Sequence, residues 1–125
     1  MASSINSITF DCSDAARLAA FWAEVTGWGV GPEPSPEFAV VGGSARPADC
    51  PSLMFIQVLE GKAAKNRVHL DLGAEDRATE VDRLIGIGAT LVHEKEEWGV
   101  HWSTLQDPEG NEFCVAVPHQ IDAAR

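Results

Sequence analysis

The sequence predicts an α+β fold built from two βαβββ modules, and three observations support this prediction. A short strand pattern at residues 8–12 recurs sixty positions later at residues 68–72, and both copies carry an Asp at the fourth position. Each copy is followed by a segment in which apolar residues recur with helical spacing. Each half then closes with an apolar strand pattern. A chain of 125 residues with 45% hydrophobic side chains holds two such modules as one small domain with a buried core.

The first module is expected to span about residues 5–61. Its helix follows Asp14, places Leu18, Phe21 and Trp22 on one face, and ends near Gly27. Three strands are predicted after this helix, at roughly residues 28–30, 37–41 and 55–58. The proline-rich segment 31–36 separates the first two strands, and residues 42–51 form the loop before the third.

The second module is expected at about residues 67–118, after a linker at 62–66 and before a tail at 119–125. Its helix follows Glu75 and Asp76 and carries Val81, Leu84 and Ile85 on one face. Strands are predicted at residues 90–94, 100–105 and 112–115, with a tight turn of sequence DPEGN at 107–111. The charged run EKEE at 94–97 is predicted as a solvated loop.

Strand alternation predicts which side chains share a face of each sheet. In the first strands, Thr9 and Asp11 should face away from the helix, as should the corresponding set in the second module. In the closing strands, Ile56 and Val58 are expected on the helix side together with Phe113 and Val115. This assignment places the following residues on the opposite face: Arg67, His69, Asp71, Phe55, Gln57, Leu59, Glu112 and Cys114.

Charge and cysteine content exclude several classes of protein. Nineteen acidic against nine basic residues give a formal charge of -10, which disfavours nucleic acid and anionic membranes as partners. Three cysteines without a C-x-x-C pair indicate neither a disulfide framework nor a structural zinc site. No apolar window is long enough to span a bilayer, and no signal-peptide pattern is present, so we expect a cytoplasmic protein.

The repeated modules, the helix end at residues 26–28 (TGW) and the segment 107–113 (DPEGNEF) resemble the vicinal oxygen chelate superfamily. Residues 66–72 (NRVHLDL) with 111–115 (NEFCV) are similar to its small glyoxalase-like domains, which are common in actinobacteria. The superfamily also contains bleomycin-resistance proteins and dioxygenases. The resemblance implies a partly open mixed β-barrel around a cup, and a homodimer.

Metal-dependent members of this superfamily take one ligand from the first strand of each module and a carboxylate from each closing strand. Alignment on the acidic residue after the first strand places two of these positions at Ser7 and Arg67. Alignment on the DPEGN turn places the others at Cys114 and Gln57. Because none of the four is the expected His or Glu, the resemblance predicts no metal at the standard positions.

A displaced metal site is the alternative. His69 and Glu112 lie two residues from the standard positions, with Asp71 and Asp11 nearby on the same predicted face. Such a set would accommodate Ni²⁺, Mn²⁺, Fe²⁺ or Zn²⁺ as a cofactor. The competing interpretation is a polar lining in which His69 pairs with Asp71 or Glu112 and no metal is needed.

Candidate functional residues follow from these faces. His69, Asp71 and Glu112 are the candidate catalytic residues, acting in acid–base chemistry or metal binding. Trp98, His101 and Trp102 are candidates for stacking on a ligand near the cavity rim. The complete set of candidate ligand-binding residues is Thr9, Asp11, Gln57, Arg67, Trp98, His101, Trp102 and Cys114.

Two functions remain open from the sequence. The first is an enzyme, a glyoxalase-like lyase or isomerase that acts on a small carbonyl or hydroxy compound bound in the cup. The second is a non-catalytic protein of the antibiotic-resistance type, which would bind a small molecule without metal. In both cases the expected partners are a small-molecule ligand and a second copy of the chain.

Overall fold

The computed structural model describes residues 2–118 and divides the chain into two compact units, Met1–Ala63 and Ala64–Arg125. The boundary falls inside the segment 62–66 that the sequence identifies as a linker. The tail predicted at residues 119–125 lies outside the described residues. Across the described part of the chain, neither helix is long and apolar enough to cross a membrane. The mixture of helices and two sheets confirms the predicted α+β class.

The first unit contains β1 (Ser7–Cys12), α1 (Ala15–Thr26), β2 (Phe38–Val41) and β3 (Ser52–Gln57). The strands form one sheet in the order β1-β3-β2, with β1 parallel and β2 antiparallel to β3. Helix α1 begins where the Asp14 carboxylate accepts the backbone N–H of Arg17. It ends at Gly27, whose φ of 75° is one that glycine adopts without steric cost.

An aromatic cluster fixes which face of the first sheet is covered by α1. The ring of Phe10 lies 5.3 Å from Trp22 of α1 and 5.1 Å from Phe55 of β3, measured between centroids. Phe55 is fully buried, whereas Ile56 is 38% exposed. The predicted faces of this closing strand are therefore wrong by one residue. The cause is the continuous apolar run at residues 53–56, which has no alternation from which to infer a face.

The predicted strand at residues 28–30 is reduced in the structure to a single bridge between Val30 and Val41. Glycines at 29 and 31 and prolines at 32, 34 and 36 explain why pairing does not extend. Proline lacks the N–H that a strand donates to its neighbour. The first unit thus has three strands instead of the four that the repeat predicts.

The second unit contains β4 (Leu70–Gly73), α2 (Arg77–Gly86), β5 (Thr90–Glu97), β6 (Val100–Gln106) and β7 (Glu112–Ala116). Its sheet has the order β4-β7-β6-β5, with β4 parallel to β7 and the other neighbours antiparallel.

An acidic side chain caps the start of helix α2, and another forms an ion pair within it. The Asp76 carboxylate accepts the backbone N–H of Thr79 and caps the helix, and this hydrogen bond lowers the pKa of Asp76. Within the helix, a hydrogen bond from Arg83 lowers the pKa of Glu80.

Helix α2 covers one face of this sheet. Arg77 at its start donates to the Ser103 hydroxyl at 2.6 Å, and Ser103 pairs with Val115 on the neighbouring strand. Val115 and Phe113 point to the same face of the sheet as Ser103, and both are buried, as predicted. The face away from α2, which we call the open face, therefore carries the residues that alternate with these along each strand.

Two predicted boundaries in this unit are wrong. Strand β4 begins at Leu70 rather than Val68, and Val68 is 76% exposed. The acidic run at residues 94–97 is not a loop but the end of β5, because pairing with β6 satisfies its backbone groups. Strand β5 is one of the two edge strands of this sheet, where charged side chains are common because they remain in water.

Candidate functional site

A row of polar residues crosses the open face of the second sheet. Asp71 on β4 pairs with Cys114 on β7, Cys114 pairs with Thr104 on β6, and Thr104 pairs with His93 on β5. Residues that are paired across neighbouring strands project from the same face of the sheet. A carboxylate, a thiol, a hydroxyl and an imidazole thus lie in a row on the sheet face that points away from α2.

His69, Asp71 and Cys114 converge at one end of this row, and we call them the three-residue cluster. Each offers a ligand-type atom, and these atoms lie within 4.8 Å of one another. The His69 Nε2 atom is 3.3 Å from Asp71 Oδ1, with both side chains largely exposed to solvent. The sequence placed His69 and Asp71 on a common face, and the structure brings them into direct contact.

The donor set fits a divalent metal ion. An imidazole nitrogen, a carboxylate oxygen and a cysteine sulfur are ligands that Zn²⁺ accepts together, and Fe²⁺ and Ni²⁺ accept related sets. Ligands about 2.0–2.1 Å from a tetrahedral ion lie roughly 3.4 Å apart, close to the separation of His69 and Asp71. Three protein ligands would leave at least one coordination position open to a small molecule.

Thr104 supports the sulfur atom of this cluster. Its hydroxyl lies 3.3 Å from Cys114 Sγ, within hydrogen-bonding distance. Thr104 itself is buried, so the hydroxyl is held in place beside the sulfur. Hydrogen bonds of this kind orient a ligand residue and tune its basicity. Sequence analysis missed Thr104, although counting back through the DPEGN turn along the β6–β7 hairpin would have placed it opposite Cys114.

Glu112 does not join the three-residue cluster. Its Oε1 atom accepts the backbone N–H of Asn66 at 2.9 Å, and its backbone carbonyl accepts from the Asn66 side chain at 3.2 Å. These bonds fix the segment that leads into β4. His69 therefore lies close to Asp71 and Cys114, whereas Glu112 hydrogen-bonds to Asn66.

The residues that cap the two helices give an alignment of the two modules that differs from the one taken from the strand repeat. Asp14 and Asp76 cap the two helices and lie 62 positions apart, whereas the sequence comparison used a spacing of sixty. With the caps superimposed, the counterpart of Ser7 is His69, not Arg67. Arg67 is exposed and precedes β4.

In the first unit, the predicted ligand-binding residues do not all lie on the same face of the sheet. Thr9 and Asp11 pair with Met54 and Ile56, on the face away from α1, and both polar residues are exposed. Gln57 lies at the end of β3, where its side-chain amide donates to the Ser13 carbonyl at 3.0 Å. Gln57 therefore helps to hold the start of the loop after β1.

The structure separates His101 from the two tryptophans that flank it in the sequence. His101 pairs with Glu96 on the helix-covered face, where its Nδ1 atom is 3.4 Å from Arg77 and its Nε2 atom 3.7 Å from Glu94. Trp102 has the opposite parity and lies on the open face, and its ring stacks with that of Trp98. His101 thus belongs to a polar cluster that joins α2 to the sheet.

The DPEGN turn is structural. The buried Asp107 carboxylate accepts the backbone N–H groups of Glu109 and Asn111 at 2.9 and 3.0 Å, and the Asn111 side chain donates to it as well. These bonds close the turn between β6 and β7 and set the register that places Cys114 opposite Thr104. The DPEGN turn therefore positions the site without lining it.

Comparison with known proteins agrees with this architecture. The family model described as a glyoxalase-like domain matches residues 7–116. The chain belongs to this family, within the vicinal oxygen chelate superfamily. No curated protein matches the sequence.

Among solved structures, a glyoxalase/bleomycin resistance protein/dioxygenase family enzyme from Burkholderia phytofirmans PsJN superposes with a TM-score of 0.71 and 19% identity, over 92% of this chain and 98% of that one. A glyoxalase-related enzyme from Fulvimarina pelagi superposes with a TM-score of 0.70 and 18% identity, over 98% of this chain and 94% of that one. Lactoylglutathione lyase from Agrobacterium tumefaciens superposes with a TM-score of 0.63 and 16% identity, over 94% of this chain and 95% of that one. These similarities establish the fold.

Proposed function

We propose that the second unit binds a divalent metal ion through His69, Asp71 and Cys114 and, at that ion, a small carbonyl or hydroxy compound. The observation that carries this proposal is the convergence of three different ligand atoms within 4.8 Å on the sheet face that points away from α2. A lyase or isomerase is the enzyme class that we assign to the site. It matches the lactoylglutathione lyase among the structures of the same fold.

The chemistry follows from the donor set. A divalent ion held here would act as a Lewis acid on a carbonyl or hydroxyl oxygen. The protein's own residues would fix its position: His69, Asp71 and Cys114 as ligands, and Thr104 as the hydrogen-bonding partner of the sulfur. The Asp71 side chain is 76% accessible, so a carboxylate oxygen that does not bind the ion would be free to exchange a proton with a bound compound.

Metal-free binding is the alternative function, and one experiment separates the two. The purified protein is stripped with a chelator, and acetohydroxamate, a bidentate oxygen ligand, is titrated by calorimetry with and without added Zn²⁺ or Ni²⁺. We expect acetohydroxamate to bind the metal-loaded protein and not the stripped one. His69→Ala should abolish both metal and acetohydroxamate binding.

A matched control is His93→Ala, which removes an exposed histidine from the same face but outside the three-residue cluster. This variant should retain metal binding within about threefold, a difference smaller than that expected from losing a ligand. Equal acetohydroxamate binding to the stripped and loaded forms would contradict the proposal. Loss of metal in His93→Ala together with retention in His69→Ala would contradict it as well.

Two further expectations belong to this proposal. The family resemblance supports a homodimer, which sedimentation at micromolar concentration tests, and a species of 13.4 kDa would contradict it. The sequence holds three cysteines without a C-x-x-C pair, which favours a reducing compartment such as the cytoplasm. Fractionation of cells that express the protein tests this location.

A further inference from the structure

The chain segment that carries His69 is joined to β7 on both sides of this histidine. Before β4, the Asn66 backbone N–H donates to Glu112 Oε1 at 2.9 Å, and the Asn66 side chain donates to the Glu112 carbonyl at 3.2 Å. We call Asn66 and Glu112 the clamp. Within β4, Asp71 pairs with Cys114 of β7. His69 lies three residues after Asn66 and two before Asp71, so it is held between these two connections.

Burial does not hold the residues between the clamp and β4. Arg67 is exposed, Val68 is 76% exposed, and the His69 side chain is 44% exposed. Strand β4 begins only at Leu70, so residues 67–69 precede it. A segment with so few buried contacts opens locally at low cost unless hydrogen bonds restrain it. The clamp supplies that restraint on the N-terminal side of His69.

The DPEGN turn determines where Glu112 lies. The Asp107 backbone N–H donates to the Asn111 carbonyl at 2.9 Å, and the Asp107 carboxylate accepts the Asn111 backbone N–H at 3.0 Å. Glu112 directly follows Asn111 and pairs with Gln106 at the start of β7. Because the turn is closed by its own hydrogen bonds, Glu112 offers its two acceptors from a fixed backbone. Formation of the clamp therefore orders few additional groups.

We propose that the clamp positions His69 for metal binding, and that Glu112 is a positioning residue of the metal site instead of a ligand. This role rests on the proposed function, since it requires that the three-residue cluster binds an ion. Only molecules whose His69 already lies beside Asp71 and Cys114 bind at full affinity, so opening of the clamp weakens the apparent affinity in proportion. Contacts that orient a metal ligand change metal affinity by about 10–100-fold.

The coupling between clamp and ion is reciprocal, which allows a test in the wild type. If the clamp strengthens metal binding by some factor, a bound ion stabilises the closed clamp by the same factor. The Asn66 amide reports this effect, because it exchanges its hydrogen when the bond to Glu112 opens. The Thr79 amide is the matched control, since it also donates to a carboxylate, that of Asp76, but at the start of α2.

Hydrogen exchange is measured by NMR on the stripped protein with and without saturating Zn²⁺. We expect Zn²⁺ to slow exchange at Asn66 by at least about tenfold and to change exchange at Thr79 by less than about threefold. Equal slowing at both amides would indicate general stabilisation of the fold. Unchanged exchange at Asn66 would show that clamp and ion are not coupled. Either result would overturn the proposal.

Three variants test the same coupling through affinity, with Zn²⁺ titrated by calorimetry into each and into the wild type. Glu112→Ala removes the acceptor and should weaken Zn²⁺ binding by about 10–100-fold. Glu112→Gln keeps an acceptor for the Asn66 N–H and should bind Zn²⁺ within about threefold of the wild type. Glu96→Ala is the control for lost charge. It removes a carboxylate from the other face of the sheet, where Glu96 pairs with His101, and should leave binding unchanged.

These variants separate positioning from two other roles of Glu112. A direct ligand, or a charge that attracts the ion, would make Glu112→Gln as weak as Glu112→Ala, and that result would overturn the proposal. Equal Zn²⁺ binding by Glu112→Ala and the wild type would also overturn it, while leaving the three-residue cluster as the metal site. Absence of Zn²⁺ binding in the wild type would instead overturn the proposed function, and the role of the clamp with it. If Glu112→Ala does not fold, Glu112→Gln and exchange at Asn66 in the wild type decide the outcome.

Discussion

Phe55 and Ile56 are adjacent residues of β3 for which the structure predicts very different contributions to stability. Phe55 is fully buried and its ring lies 5.1 Å from that of Phe10, so Phe55→Ala removes a complete core side chain. Such changes cost about 3–5 kcal/mol in the free energy of unfolding. Ile56 is 38% exposed on the opposite face, and we expect Ile56→Ala to cost about 1 kcal/mol.

Urea denaturation followed by circular dichroism measures both costs. With a slope of about 2 kcal/mol per molar urea, the Phe55→Ala midpoint should fall by about 2 M and that of Ile56→Ala by about 0.5 M. If Phe55→Ala does not fold, Phe55→Leu retains most of the apolar volume and gives a measurable midpoint with a cost below that of Ala. A larger loss for Ile56→Ala than for Phe55→Ala would show that the faces of β3 are assigned incorrectly.

Two further predictions concern the second unit. Because Thr79 lowers the pKa of Asp76 in the folded state, the cap stabilises the protein above the unfolded pKa and is lost as the pH falls below about 4. Melting curves at pH 7 and pH 3 should therefore show a smaller pH dependence for Asp76→Asn than for wild type, and an unchanged dependence would contradict the cap. Glu112→Ala should cost about 1–2 kcal/mol and increase hydrogen exchange at the Asn66 amide, whereas Glu112→Gln, which keeps an acceptor, should cost less. Unchanged exchange in Glu112→Ala would show that this contact does not anchor the segment.

The repeat and the helix signals carried most of the fold prediction. Asp14 and Gly27 lie at the two ends of α1, as their residue types predict, because each satisfies backbone groups at a helix end. Prediction failed where the local pattern is uninformative. The apolar run around Phe55 has no alternation, and the glutamates of β5 look like a loop until pairing with β6 is known.

Part of the candidate site could also be predicted from the sequence. Alternation placed His69 and Asp71 on one face because they are two residues apart; Asp71 lies on β4 and His69 directly precedes it. The contact with Cys114 depends on the register between β4 and β7, which are distant in the chain, and no local pattern encodes that register. His101 was grouped with Trp102 because they are neighbours in sequence, although neighbours in a strand point to opposite faces.

The metal site is the central claim, and Co²⁺ is the most direct probe because a cysteine ligand gives a thiolate-to-cobalt charge-transfer band in the near ultraviolet. Stripped wild-type protein is titrated with Co²⁺ beside Cys114→Ser and Cys50→Ser, the latter removing a free cysteine of the other unit. We predict a band that saturates at one Co²⁺ per chain in the wild type and in Cys50→Ser and is absent in Cys114→Ser. No band in the wild type, or an undiminished band in Cys114→Ser, would contradict the site.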